Sequence, residues 1–202
     1  GYFHCSDREG EPIAMTFLAR GYQVFILRYS LNEDAAFPRP LNDAVEALEL
    51  IRKRSVEWGL DDQKIAACGF SAGGHLAAAL GTMGRSRPNA LVLAYPCILD
   101  SMSEKLAAPI PSLEKEVDAK TPPSFLFATA FDKTVPVKNS LEFAAALDRA
   151  GIPFEMHIFQ DGAHGLALST QLTTPGNNEL VNERAAQWVP LALDWLNQTL
   201  HW

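Results

Sequence analysis

Short apolar runs alternate with longer amphipathic stretches along this chain, and each kind of pattern predicts one kind of element. The runs of strand length are residues 22–30, 64–71, 90–96, 124–131 and 154–160. The helical patterns lie near 9–20, 40–58, 73–84, 137–150 and 183–200. This alternation is typical of βα units around a mostly parallel sheet with helices on both faces, so the sequence predicts an α/β fold.

Residues 98–123 break this rhythm. The stretch carries prolines and charges and is too irregular for a crossover helix. We predict that it forms a lid-like excursion over one end of the sheet. The whole chain, including this excursion, is predicted to form a single domain spanning 1–202, because 202 residues with 48% hydrophobic content suffice for one buried core and are few for two.

Charge and cysteine content narrow the classes of partner. The net charge of -7 disfavours nucleic acid and anionic membranes as partners, and it favours a small-molecule substrate. The three cysteines lack zinc-site spacing, and Cys68 and Cys97 end apolar runs, which predicts buried thiols. No apolar run approaches the about 20 residues that span a bilayer. We expect no cofactor, no metal, no membrane partner and a cytoplasmic location.

A serine between glycines stands where a predicted strand meets a predicted helix. The letters "GFSAG", starting at Gly69, fit the nucleophile-elbow pattern G-x-S-x-G in that context. A side chain at Gly69 or Gly73 is expected to collide with the crossing strand or helix. The turn is expected to expose the Ser71 hydroxyl at the carboxyl end of the sheet, where the Ala72 N–H faces a developing oxyanion.

A nucleophilic serine needs a histidine base and a carboxylate that orients the histidine. Among five histidines, His164 lies in a polar, glycine-flanked loop just past the last strand, whereas His75 lies inside the elbow helix and is expected to pack or hydrogen-bond there. The hydrolase order places the acid between serine and histidine. Asp132 directly follows the fourth predicted strand and is the main candidate, with Asp161 and Asp100 as alternatives.

Three stretches then resemble a known family. They are "GFSAGGHLAA", "TPPSFLFATAFDKTVPVKNSLEFAAALDRAGIPFEMHIFQDGAHGLAL" and "WVPLALDWL". They resemble α/β-hydrolase esterases of the acetyl-esterase and acetyl-xylan-esterase type, which are related to hormone-sensitive-lipase-type enzymes. The resemblance covers nearly the whole chain and implies Ser71, Asp132 and His164 as catalytic residues and Ala72 as an oxyanion donor.

The resemblance implies a serine carboxylesterase that hydrolyses small acyl esters, such as acetyl esters of carbohydrates, through an acyl-enzyme. Two alternatives stay open. One is a serine peptidase of the prolyl-oligopeptidase type, which shares the elbow and the order of the three residues. The other is a non-catalytic or impaired, truncated hydrolase fold.

The opening letters "GYFHCSDREGEPIA" resemble the piece that follows a glycine-rich oxyanion loop, of which Gly1 and Tyr2 remain. The resemblance implies that a central strand precedes that loop, between 22–30 and 64–71. We therefore expect an N-terminally truncated fold with a gap at this place. Either the two flanking strands pair directly, or another chain fills the gap and creates a homo-oligomer, or upstream residues fill it.

The truncation also bears on catalysis. Gly1 is the last remaining residue of the oxyanion loop, and a start of the chain without a supporting strand is expected to be mobile. We expect these 202 residues to hydrolyse activated acetyl esters weakly or not at all. Adding an upstream strand with its glycine loop is expected to raise the rate by at least about 10², the value of one oxyanion donor.

Overall fold

Four parallel strands form one sheet in a computed structural model, which describes residues 1–174 and 176–201. In spatial order they are β1 (Ala66–Phe70), β2 (Ala90–Ala94), β3 (Ser124–Thr129) and β4 (Phe154–Phe159). Gly69 lies opposite Leu93, and Leu93 opposite Leu126. Four of the five predicted strands are thereby confirmed, within a few residues at each end.

Five α-helices in the described residues follow the five helical patterns. They are α1 (Glu11–Leu18), α2 (Arg39–Trp58), α3 (Ala72–Thr82), α4 (Lys138–Ala150) and α5 (Trp188–Thr199). Glycines in the left-handed region end α2 and α4, at Gly59 and Gly151, where a residue without Cβ closes the last turn. In the described part of the chain, no helix has both the length and the apolar character needed to cross a membrane.

The core has two layers because neighbouring residues of a strand point to opposite faces of the sheet. Leu91 and Leu93 of β2 pack with side chains from α2, α3 and α4, whereas Val92 packs with side chains from α1 and α5. All three are fully buried, and burial of each such side chain stabilises the folded state by about 1.5–3 kcal/mol. The predicted sheet with helices on both faces is confirmed.

Residues 22–30 behave as a strand without a partner. Phe25 stacks on Trp58 in α2, with 5.3 Å between ring centroids, while Arg28 Nη2 lies 3.1 Å from Glu11 Oε1 in α1. The two helices cover opposite faces of the sheet, so the side chains of this segment alternate as in an extended chain. No described strand pairs with it, and the prediction of a fifth strand in the sheet is wrong.

A cavity of about 480 Å³ lies between this segment and β1, and it is lined by residues 24–29, by 65–70 and by apolar side chains of the helices. Of the three alternatives given above, direct pairing of the two segments is excluded, because the described residues show no backbone hydrogen bond between them. This cavity lies where the resemblance implies a central strand, between residues 22–30 and β1. Cys97 is buried as predicted, whereas Cys68 is exposed because β1 forms the open edge of the sheet.

Residues 98–123 contain only short 3₁₀ turns, at Asp100–Lys105 and Leu113–Lys115. The Leu113 N–H donates to the Ile98 carbonyl at 3.0 Å, and both side chains are fully buried in the core. Ile98 and Leu113 therefore anchor the excursion to the folded body, and a lid role for it stays a prediction.

Candidate active site

Ser71 forms the sharp turn between β1 and α3. Its backbone has φ 53° and ψ −117°, a conformation that costs a non-glycine residue about 1–3 kcal/mol. The turn is held from both sides, since the Ser71 N–H donates to the Ala94 carbonyl at 3.0 Å and its carbonyl accepts from the His75 N–H at 3.1 Å. Strand and helix together place the serine at the carboxyl end of the sheet.

The glycines around Ser71 have different roles. A Cβ added at Gly69 would lie 2.1 Å from the carbonyl oxygen of Gly73, so the predicted need for glycine there is confirmed. At Gly73 the prediction is wrong, because a Cβ would meet only the Tyr29 hydroxyl at 3.6 Å. Sequence reasoning missed Gly74, where a Cβ would lie 2.8 Å from Cβ of Pro96.

The structure brings the three predicted site side chains into hydrogen-bonding contact. His164 Nε2 lies 2.8 Å from Ser71 Oγ, and His164 Nδ1 lies 2.6 Å from Asp132 Oδ2. An ionised carboxylate only accepts hydrogen bonds, so Nδ1–H donates to Asp132 and Nε2 of the neutral ring accepts from the serine hydroxyl. This is the arrangement in which the histidine can take the proton of the serine.

Asp132 is fixed by more than the histidine. Burial by itself raises the pKa of this carboxyl, but the hydrogen bond from His164 and those from the Val135 and Thr134 N–H groups outweigh burial. These two N–H groups lie 3.0 and 2.8 Å from Oδ1. The pKa is lowered overall, so the buried side chain stays ionised at neutral pH.

The alternative acids lie elsewhere. Asp100 pairs with Lys115 Nζ at 3.4 Å, and within the described residues neither Asp100 nor Asp161 hydrogen-bonds to His164. The described residues also contain no cluster of three or more His, Cys, Asp or Glu side chains that could hold a metal ion. The chemistry available at this place is that of a hydroxyl, an imidazole and a carboxylate.

The predicted oxyanion donors differ in their surroundings. The Ala72 N–H opens α3 next to Ser71 and finds no acceptor among the described residues, as is usual in the first turn of a helix. Gly1 lines the same cavity as Ser71, and its carbonyl accepts from the Ala107 N–H at 3.1 Å. Whether either group binds an oxyanion stays a prediction.

His75 fastens the start of the chain to the excursion 98–123. The Tyr2 hydroxyl donates to Nδ1 at 2.9 Å, and Nε2–H donates to the Pro111 carbonyl at 3.1 Å. Burial lowers the pKa of His75 to about 4, so the ring is neutral near pH 7. The predicted hydrogen-bonding role of His75 is confirmed.

The expectation of an unsupported start of the chain is wrong, because Tyr2 is buried and its carbonyl accepts from the Asn32 N–H at 2.9 Å.

Sequence reasoning gave no role to Tyr95, whose ring centroid lies 5.1 Å from that of His164. Its hydroxyl lies 2.8 Å from Glu9 Oε1 and 2.9 Å from the Ala167 nitrogen. One signal was available. Tyr95 directly follows β2, so it lies at the same end of the sheet as Ser71 and Asp132.

Comparisons with known proteins agree on one family. Residues 3–107 match the BD-FAE family. Endo-1,4-beta-xylanase B of Butyrivibrio fibrisolvens is 35% identical over 199 residues, and an acetylxylan esterase of Xylanibacter ruminicola is 29% identical over 195. Both alignments cover 84% of this chain, which spans only 31% and 40% of the length of these two relatives.

A solved structure extends the comparison to three dimensions. MGS-M1, an α/β hydrolase from a Medee basin deep-sea metagenome library, is 42% identical with a TM-score of 0.93. The superposition covers 100% of this chain and 81% of that protein. The likeness therefore includes all elements described above.

Proposed function

Since the chain belongs to the BD-FAE family and has the α/β-hydrolase fold, we propose that it is a serine carboxylesterase that hydrolyses acetyl esters of carbohydrates. The observation that carries the proposal is the contact of His164 with both Ser71 and Asp132 at the carboxyl end of the sheet. The name of the acetylxylan esterase relative supports acetyl as the acyl group and a carbohydrate as the alcohol.

In the proposed reaction, Ser71 Oγ attacks the ester carbonyl carbon while its proton moves to His164 Nε2. Asp132 stabilises the imidazolium that forms. The C–O bond to the alcohol then breaks, and the alcohol leaves with the proton from Nε2, so that an acetyl group remains on Ser71. A water molecule gives a proton to His164 and attacks this acetyl-enzyme, which releases acetic acid and restores the serine.

The negative charge of each tetrahedral intermediate needs fixed donors. The free Ala72 N–H at the positive end of α3 supports its role as one donor, and we propose Gly1 as a second. Loss of one oxyanion donor typically lowers the rate by about 10²–10³. Small neutral esters suit the net charge of -7, and a cytoplasmic location remains a prediction.

Substrate panels test this function. We expect p-nitrophenyl acetate and acetylated xylo-oligosaccharides to be cleaved and longer acyl esters to be cleaved less, with no activity for Ser71→Ala. Faster cleavage of a prolyl p-nitroanilide than of the esters would instead favour the peptidase. Rates equal to those of Ser71→Ala on every substrate, from a protein that unfolds cooperatively, would establish the non-catalytic alternative.

We also propose that the cavity beside β1 binds an extended strand, supplied either by residues upstream of Gly1 or by another polypeptide chain. The Ile65 carbonyl accepts from the Asn89 N–H, and the Ser71 N–H donates to the Ala94 carbonyl, so the odd-numbered residues of this edge face β2. In a parallel ladder alternate residues point their backbone groups to the same side. The groups left facing the cavity are those of Ala66, Cys68 and Phe70.

The residues that line the cavity indicate which side chains the bound strand should carry. Residues 24–29 line the opposite wall, and Ile13, Leu48 and Leu76 bring apolar side chains from both helix layers. A strand between two strands and two helix layers is buried on all sides, so its sequence should be uncharged and apolar throughout. If a second copy supplies the strand, the result is the predicted homo-oligomer.

A peptide of six alternating valines and isoleucines with terminal lysines tests whether the cavity binds an apolar strand. We expect it to bind as measured by fluorescence anisotropy, and the same peptide with a central proline, which cannot complete the ladder, to bind much more weakly. A dimer that the first peptide dissociates would assign the strand to a second copy. Equal binding of both peptides, or binding of neither to a monomeric protein, would refute the proposal.

A further inference from the structure

We infer that Tyr95 is a positioning residue, which holds the loop that carries His164 through a hydrogen-bonded bridge to Glu9. The inference rests on the proposed function, since it concerns the alignment of the proposed base. Glu9 and the Tyr95 hydroxyl act through the backbone that follows His164, and the Tyr95 ring packs against the imidazole itself.

Tyr95 has an unusual backbone conformation. Tyr95 follows β2 with φ 36°, in the left-handed region that few non-glycine residues adopt, and its N–H donates to the Phe127 carbonyl at 2.6 Å. Such a conformation is unfavourable for a non-glycine residue and persists where its surroundings enforce it. Here it accompanies a side chain that is 3% exposed and lies between the sheet and the His164 loop.

The ring of Tyr95 contacts His164 edge to face. The centroids are 5.1 Å apart with an interplanar angle of 69°, and a similar contact joins Tyr95 to Phe127 at 5.4 Å and 86°. Both geometries are favourable for aromatic pairs. The ring therefore limits the movement of the imidazole on the side that it covers.

The hydroxyl of Tyr95 both donates and accepts a hydrogen bond. It donates to Glu9 Oε1 at 2.8 Å and accepts from the Ala167 N–H at 2.9 Å. Burial raises the pKa of Tyr95 well above its usual value, so the hydroxyl keeps the proton that it donates. The carboxylate of Glu9 thereby fixes the hydroxyl, and the hydroxyl fixes the third residue after His164.

Two further side chains hold the same loop from other elements. Arg8 Nη2 donates to the Gly165 carbonyl at 3.0 Å, and Trp188 Nε1 donates to the Ala167 carbonyl at 2.9 Å. Ala167 itself has φ 51°, so the loop keeps this strained shape only while its contacts persist. The bridge matters for rate because a displacement of about 1 Å at a catalytic group costs up to about 10².

Tyr95→Phe tests the bridge, because it removes the hydroxyl and keeps the ring. Tyr22→Phe is the matched control, since that hydroxyl donates to Asn197 Oδ1 away from the site. We expect kcat for p-nitrophenyl acetate to fall by about tenfold in Tyr95→Phe, with KM little changed. We expect Glu9→Gln, which keeps an acceptor, to resemble the wild type and Glu9→Ala to resemble Tyr95→Phe.

The ¹⁵N NMR signals of the His164 ring give a readout that does not depend on turnover. We expect Tyr95→Phe and Glu9→Ala to shift or broaden them, while Tyr22→Phe and Glu9→Gln leave them unchanged. Unchanged signals in folded Tyr95→Phe and Glu9→Ala would overturn the inference. If the wild type hydrolyses no ester, the proposed function fails, and the NMR comparison alone decides the role of the bridge.

Discussion

Ser71 occupies a backbone conformation that only a closely fitted neighbourhood maintains. The strand before it and the helix after it approach so closely at Gly69 that no side chain fits there. Four residues later the space reopens at Gly73. The motif G-x-S-x-G therefore contains one glycine that this structure needs for steric reasons and one that it does not.

Alanine substitutions separate the two glycines. We expect Gly69→Ala to lower the free energy of unfolding by about 3 kcal/mol or more, because its Cβ would overlap the Gly73 carbonyl. Gly73→Ala is the matched control and should stay within about 1 kcal/mol of the wild type, since alanine favours the helix. Urea unfolding measures both. Equal losses would show that the elbow is packed differently.

His75 links stability to pH. Burial lowers its pKa to about 4 from 6.5, so between these values the unfolded chain binds more protons than the folded one. This contribution is complete above pH 6.5 and is lost as the pH falls towards 4, by on the order of 3 kcal/mol. Urea unfolding from pH 7 to pH 4 should therefore show a smaller pH dependence for His75→Gln than for the wild type. Identical pH dependence would contradict a neutral, buried His75.

The strands and helices show which patterns predict structure well. Runs such as 90–96 are apolar at every position because both faces of the sheet are covered, and β2 forms there as predicted. The run 22–30 carries the same kind of pattern and has the same two helix layers beside it, yet it lacks a paired neighbour. An apolar pattern indicates that helices cover both faces of a segment. Strand pairing also requires a neighbouring strand in the plane of the sheet.

The excursion 98–123 divides into anchored and exposed parts. We expect Leu113→Ala to lower the free energy of unfolding by about 2–5 kcal/mol without altering acyl preference, because Leu113 is fully buried.

Replacing 104–108 by glycine and serine should instead change the ratio of acetate to butyrate hydrolysis, since this part contacts Gly1 at the site. An unchanged ratio would refute the lid.

Some features of the whole molecule depend on residues that are neighbours in sequence, and others depend on residues far apart in the chain. The elbow at Ser71 was predictable because its residues are neighbours in sequence, and Asp132 and His164 because strand ends meet at one edge of a parallel sheet. The bridge from Glu9 to Tyr95 joins residues far apart in the chain, and no local pattern encodes it. The cavity beside β1 likewise results from the arrangement of three separate segments.

A fusion tests the connection between that cavity and catalysis. We expect an apolar strand and a glycine-rich loop added before Gly1 to raise the initial rate on p-nitrophenyl acetate by at least about 10², because the loop supplies fixed oxyanion donors. The matched control carries a proline within the added strand. Equal rates for the fusion, the control and the unmodified chain would show that the donors present already suffice.

The central claim is that Ser71 carries the acetyl group during turnover, with His164 and Asp132 as its partners. Mass spectrometry of the protein quenched in acid during hydrolysis of p-nitrophenyl acetate tests it most directly. We expect a mass increase of one acetyl group, on the peptide that contains Ser71, and no increase for Ser71→Ala. Acetylation of another residue at the same rate in both proteins, or turnover that persists in Ser71→Ala, would contradict it.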